Sequence, residues 1–180
     1  MSLEFLGGGG AAPSPRTASA SEMANLFSQA CVEPKGEHAA VSQVAARLGL
    51  SAQASNAPGG KGAAKLMLLA TGPGVVVSQT DGILEYGFVQ CNATFYTTAL
   101  PTSDEVELAM KAAFGRPADN EGERVKPNGK PNKGYSPRWN VTGANGSAMS
   151  AEFHVMKSNN YMPGDRVLFG LREAAEKKTK

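Results

Sequence analysis

A chain of 180 residues with 41% hydrophobic and 19% charged side chains has the composition of a globular domain, with enough material for one sizeable core. Its formal net charge of +2 is too small to imply nucleic acid or a membrane as a partner. No apolar run approaches the roughly 18 residues that a spanning helix needs, so no transmembrane segment is expected.

The N-terminal stretch "MSLEFLGGGGAAPSPRTASAS" has neither a basic n-region nor a continuous apolar h-region, so it does not read as a signal peptide. It resembles a vector-encoded start followed by a low-complexity Gly/Ala/Pro/Ser tail, and residues 1–18 are expected to be disordered. On this reading an export signal, if the gene has one, precedes the present start. Residues 19–174 are expected to form one α+β domain, and 175–180 a frayed charged tail.

Ser19 precedes Glu22 by three positions, the capping-box spacing that satisfies orphan N–H groups at a helix start. Behind it Met23, Leu26, Phe27, Ala30 and Cys31 share one helical face, and Pro34 and Gly36 end the run. A second helix over 37–48 carries Val41, Val44, Ala45 and Leu48, with Gly49 placed as its C′ residue. Residues 51–65, "SAQASNAPGGKGAAK", are small and polar and predict an exposed loop.

Three strands follow. "KLMLLA" and "GVVVS" flank the turn "TGPG", and 83–96 alternates Val89, Cys91, Ala93 and Phe95 with Gln90, Asn92 and Thr94. "TDG" at 80–82 signals a tight turn, making 74–79 and 83–96 an antiparallel hairpin. Thr102 and Glu105 form a second capping box, and Val106, Ala109, Met110, Ala113 and Phe114 make the face of a third helix closed by Gly115. Residues 116–137 hold four prolines and three glycines and predict no regular structure.

After that loop the period returns to two. "RWNVTG" is a short strand; Met149, Ala151, Phe153 and Val155 line one face of the next, with His154 on the other. Pro163–Gly164 is a turn, and Val167, Phe169 and Leu171 point inward from the last strand. The expected fold is therefore α+β: an antiparallel sheet of five or six strands with three helices, in the order α-α-β-β-β-α-β-β-β. A helix followed by three strands occurs twice, at 38–96 and 102–173, a hint of pseudo-symmetry without a residue-level repeat.

The two cysteines lie on apolar faces, Cys31 on the first helix and Cys91 on the third strand. Packing that helix on that sheet brings them together, and a disulfide there would close a loop of about 60 residues, worth roughly 4 kcal/mol in the chain-entropy model. Such a bond persists in an oxidising compartment. The competing reading is a pair of buried thiols acting as small hydrophobes in a cytosolic protein. No Cys-x-x-Cys or paired His supplies a metal site, and no cofactor is implied.

The segment "NLFSQACVEPKGEHAAVSQVAARLGL" resembles the opening of small uncharacterised exported two-cysteine proteins of Gram-negative bacteria. In that group a Phe-x-x-x-Cys helix is followed by an Ala-rich helix ending in Leu-Gly and a second cysteine in a later strand. The matching residues are Phe27, Cys31, Leu48, Gly49 and Cys91, and the likeness spans roughly residues 23–96. It implies a periplasmic or secreted setting and carries no activity.

Candidate chemistry is sparse. His38 beside Glu37 and His154 near acidic residues are possible acid–base groups, and a Cys–His nucleophile is disfavoured because both thiols lie on apolar faces. "APGGKGAAK" departs twice from a phosphate loop: Ser55 takes the first Gly position and Gly62 follows Lys61 where Ser or Thr is needed. Three Asn-x-Ser/Thr triplets, at Asn92, Asn140 and Asn145, are a pattern that chance produces often.

The long loop is more informative. It carries Arg124, Lys126, Lys130, Lys133 and Arg138, with Tyr135 and Trp139 at its end, while Trp139 is expected to be core. Basic and aromatic residues on a long loop suit an anionic polymer, a lipid head group or an acidic protein. The leading expectation is a non-enzymatic exported binding protein that uses this loop as its contact surface. The alternatives are a small hydrolase-like envelope enzyme using His154 with an acid, and a cytosolic protein whose basic loop binds nucleic acid. The bland reading of the loop is a solvated mobile excursion.

Overall fold

The computed structural model describes residues 13–35, 37–54, 65–81, 89–143 and 146–173. Helix α1 (Ala20–Phe27) starts where Ser19 accepts a hydrogen bond from the Glu22 N–H, and it runs directly into one turn of π-helix, Ser28–Val32. Helix α2 spans His38–Arg47 and α3 spans Ser103–Phe114. The α3 start is the reciprocal capping box read from Thr102 and Glu105, and its end is Gly115, whose φ of 68° is left-handed and favours a residue without Cβ.

The sheet has seven strands: β1 (Ser51–Ala54), β2 (Lys65–Gly72), β3 (Val75–Asp81), β4 (Val89–Tyr96), β5 (Trp139–Thr142), β6 (Ala148–Met156) and β7 (Arg166–Glu173). Their spatial order is β1-β2-β3-β4-β7-β6-β5, and every pairing is antiparallel. The α+β class and the three helices agree with expectation, whereas the strand number of five or six is corrected to seven.

The element order is corrected with it, to α-α-β-β-β-β-α-β-β-β. The added strand, β1, lies in the 51–65 segment, where the sequence predicts an exposed loop. Ser51 and Ala52 are small and exposed, so no alternating pattern marks them, and pairing with Thr71 and Ala70 of β2 makes them a strand. β3 also continues through Thr80 and Asp81, where the sequence predicts a turn; the rest of that turn and 83–88 lie outside the described residues.

The chain forms two successive helix-plus-meander units, α2 with β1–β4 and α3 with β5–β7. The last strand of each, β4 and β7, meet in the middle of the sheet. The expected pseudo-symmetry of two helix-and-three-strand units therefore has a spatial counterpart, with β1 as the addition.

One row of inward residues crosses five strands: Ala70, Val77, Ala93, Phe169 and Phe153. Helix α2 packs against β1–β3, α1 against β4 and α3, and α3 against β6. Phe169 centres the core, stacked on Phe27 at 5.3 Å between ring centroids and edge-on to Phe95 at 5.6 Å. Cys31, in the π-helical turn, bonds to Cys91 of β4 with a Cα–Cα distance of 5.6 Å, and both are fully buried. The disulfide ties the helical layer to the centre of the sheet.

Ahead of α1, the Arg16 N–H donates to the Tyr96 carbonyl at 3.1 Å. Residues 1–12 and 174–180 lie outside the described residues.

Candidate functional site

The segment between α3 and β5 is built, and the expectation that 116–137 lacks regular structure is corrected. Residues Glu121–Arg124 form a 3-10 turn, and Val125 bridges to Pro131. The Lys126 N–H donates to the Lys130 carbonyl, and the Gly129 N–H returns to the Lys126 carbonyl, each at 2.8 Å, giving a short hairpin tip. Asparagines make most of the remaining ties. Asn132 donates to the Glu123 carbonyl and accepts from the Gly134 N–H, while Asn128 accepts from the Lys130 N–H. Asx geometry of this kind replaces sheet or helix bonds in a segment rich in Pro and Gly.

The base of this finger is locked to the edge of the sheet. On β5 the residues that face away from β6 present bare N–H and C=O groups, the usual liability of an edge strand. Here Asp119 Oδ2 accepts the Asn140 N–H at 2.6 Å, and Arg116 donates to the Asn140 carbonyl at 2.7 Å. One step earlier the Asp119 N–H donates to the Arg138 carbonyl, and Asn120 Oδ1 accepts the Arg138 N–H, both at 2.8 Å. Four edge groups are thus satisfied by three residues, 116, 119 and 120. The Arg116 guanidinium and the Asn140 N–H hold the Asp119 carboxyl below the usual carboxylate range.

Trp139 is core, as expected: it is fully buried, stacks on Phe114 at 5.6 Å and donates its indole N–H to the Arg116 carbonyl. Arg124 ion-pairs with Glu107 of α3 and with Glu121, and its guanidinium carbon lies 4.6 Å from the centre of the Tyr135 ring. Burial raises the Tyr135 phenol above its ordinary value, with Arg124 opposing and Glu107, Glu121 and Glu123 adding to the shift. Arg138 reaches Glu123 at 3.5 Å.

The structure therefore divides the six proposed contact residues. Arg124, Tyr135 and Arg138 hold the finger together, and Lys126, Lys130 and Lys133 are exposed and form no ion pair with any described residue. Sequence reasoning missed Arg116, Asp119 and Asn120. The available signal was the run of Asn and Asp among Pro and Gly from 119 to 132, which is the composition of side-chain-to-backbone turns.

His154 is exposed on β6, on the sheet face away from the helices, opposite Leu168 of β7. Its nearest acid along the strand, Glu152, is paired with Arg172. His38 begins α2, and its side chain, like the 55–64 segment with the phosphate-loop likeness, lies outside the described residues. Asn92 accepts a hydrogen bond from Ser78 within the sheet. Among the described residues no three His, Cys, Asp or Glu side chains gather as a metal site would require, and no helix is long and apolar enough to cross a membrane.

A second exposed feature is Tyr161, 90% accessible at the tip of the β6–β7 connection. The loop beneath it is held by Asn159, which accepts from the Tyr161 and Met162 N–H groups. Buried Arg166 adds to this by donating to the Met162 and Gly164 carbonyls.

Comparison with protein-family models, with curated proteins and with solved structures finds no match.

Proposed function

We propose that this is an exported binding protein, without catalytic activity, whose contact surface is the 116–138 finger. One observation carries the reading: every arginine in the finger has a carboxylate partner, while its three lysines stand exposed, Lys126 and Lys130 on a tip fixed by its own hydrogen bonds and Lys133 just beyond it. An ordered loop presents its charges without the ordering entropy that a mobile one loses on binding. The buried disulfide supports a setting in an oxidising compartment, periplasmic or secreted, where such a bond persists.

The enzyme alternative leans on His154, and Glu152, the acid beside it, is already engaged by Arg172. A direct comparison separates the two readings. Retention on an anionic polymer resin at low ionic strength should survive His154→Ala and be lost when Lys126, Lys130 and Lys133 are all changed to Gln. Retention of the lysine variant would count against the finger as the contact surface.

A further inference from the structure

The finger narrows the chemistry of its ligand by what it has already used. Planar guanidinium forks read carboxylate and phosphate geometry through paired hydrogen bonds. Arg116 spends its fork on Asp119 and the Asn140 carbonyl, Arg124 pairs with Glu107 and lies over the face of Tyr135, and Arg138 turns one guanidinium nitrogen toward Glu123 at 3.5 Å. The finger's cations that have no carboxylate partner among the described residues are ammonium groups, compact charges on flexible stems that impose no bidentate geometry.

The aromatic residues are used up as well. Single-stranded nucleic acids are held by stacking bases on aromatic faces. Tyr135 is half-buried, with one face under Arg124 and its hydroxyl enclosed. Trp139 is fully buried against Phe114. The finger thus offers ammonium charge without a free stacking platform.

We propose that the ligand is a linear polyanion lacking bases, such as a sulfated polysaccharide or a polyphosphate chain, held by Lys126, Lys130 and Lys133 through charge density alone. This rests on the reading of the finger as the contact surface. It also replaces nucleic acid, which the loop's basic and aromatic composition had suggested.

The test measures binding of three probes with equal charge per chain: dextran sulfate, inorganic polyphosphate and an oligothymidylate. Parent protein and the K126Q/K130Q/K133Q variant are compared by fluorescence anisotropy, with circular dichroism to check the fold. The two base-free polymers should bind within tenfold of, or more tightly than, the oligonucleotide, and their ranking shows whether sulfate or phosphate is preferred. With three lysine contacts, raising salt from about 50 to 200 mM should weaken binding of the oligonucleotide roughly twentyfold. The triple variant should lose at least tenfold for every polymer.

Tighter binding of the oligonucleotide by more than tenfold, or no binding to either base-free polymer at low salt, overturns the inference and leaves the finger in place. A triple variant that binds every polymer as the parent does removes the finger reading itself.

Discussion

The carboxylate of Asp119 lies 2.6 Å from the backbone N–H of Asn140, occupying the place that a neighbouring strand would take on the open edge of β5. This bond makes the long connection part of the sheet. It also blocks strand addition at an edge that would otherwise be exposed.

Its consequence is measurable. Asp119→Asn removes the charge that strengthens the bonds from the Asn140 N–H and Arg116, leaving only a neutral amide oxygen to accept them, and the site is partly exposed. A loss of about 1–2 kcal/mol is expected in urea unfolding, with faster amide exchange at Asn140 and Arg138. The folded carboxyl titrates below its ordinary 3.8, so its contribution is present above that pH and fades as pH falls through the lower, folded value. Protection at Asn140 should follow the same acid limb, and Asp119→Asn should flatten it.

Reduction of Cys31–Cys91 should lower stability by about 4 kcal/mol, from the loop of about 60 residues that the bond closes. Denaturant midpoints of the parent and of Cys31→Ala/Cys91→Ala measure this. Intact mass after alkylation of unfolded protein, with and without reductant, shows whether both sulfurs are bonded. Two labelled thiols without reductant would remove the bond and with it the main support for export.

Phe169 touches Phe27, Phe95 and Phe153, so it joins the helical layer to three strands. Phe169→Ala should cost about 3–5 kcal/mol as lost burial plus a cavity. Val125→Ala, at an exposed position on the finger, should stay within about 0.5 kcal/mol of the parent.

The cations of the finger should separate by role. Arg124→Gln loses the Glu107 pair and the Tyr135 contact, and is expected to cost about 1–2 kcal/mol. Lys126, Lys130 and Lys133 changed together to Gln should leave the melting temperature nearly unchanged. Thermal melts of both variants test the division.

Much of this architecture was legible because periodicity reports burial. Val167, Phe169 and Leu171 alternate inward as their spacing required, Thr102 and Glu105 cap α3, and Cys31 and Cys91 met from two apolar faces. β1 was not legible: four residues with no apolar alternation, Ser-Ala-Gln-Ala, become an edge strand only through the partner they pair with. The finger was missed for a related reason. Its order comes from side chains of Asp119, Asn120 and Asn132 bonding to backbone across long separations, and such bonds leave no repeating pattern. The basic and aromatic composition of the loop was visible, but which cations are free depends on Glu107 and Glu123 finding Arg124 and Arg138 in space.

The most direct test of the finger as the contact surface is amide chemical-shift mapping of the ¹⁵N-labelled protein during titration with dextran sulfate. The account predicts that the largest changes fall at Lys126, Lys130 and Lys133 and their immediate neighbours, with Asn140 and the β5 edge unmoved. Changes centred on His154 or on the Tyr161 loop, with the finger resonances unshifted, would contradict it.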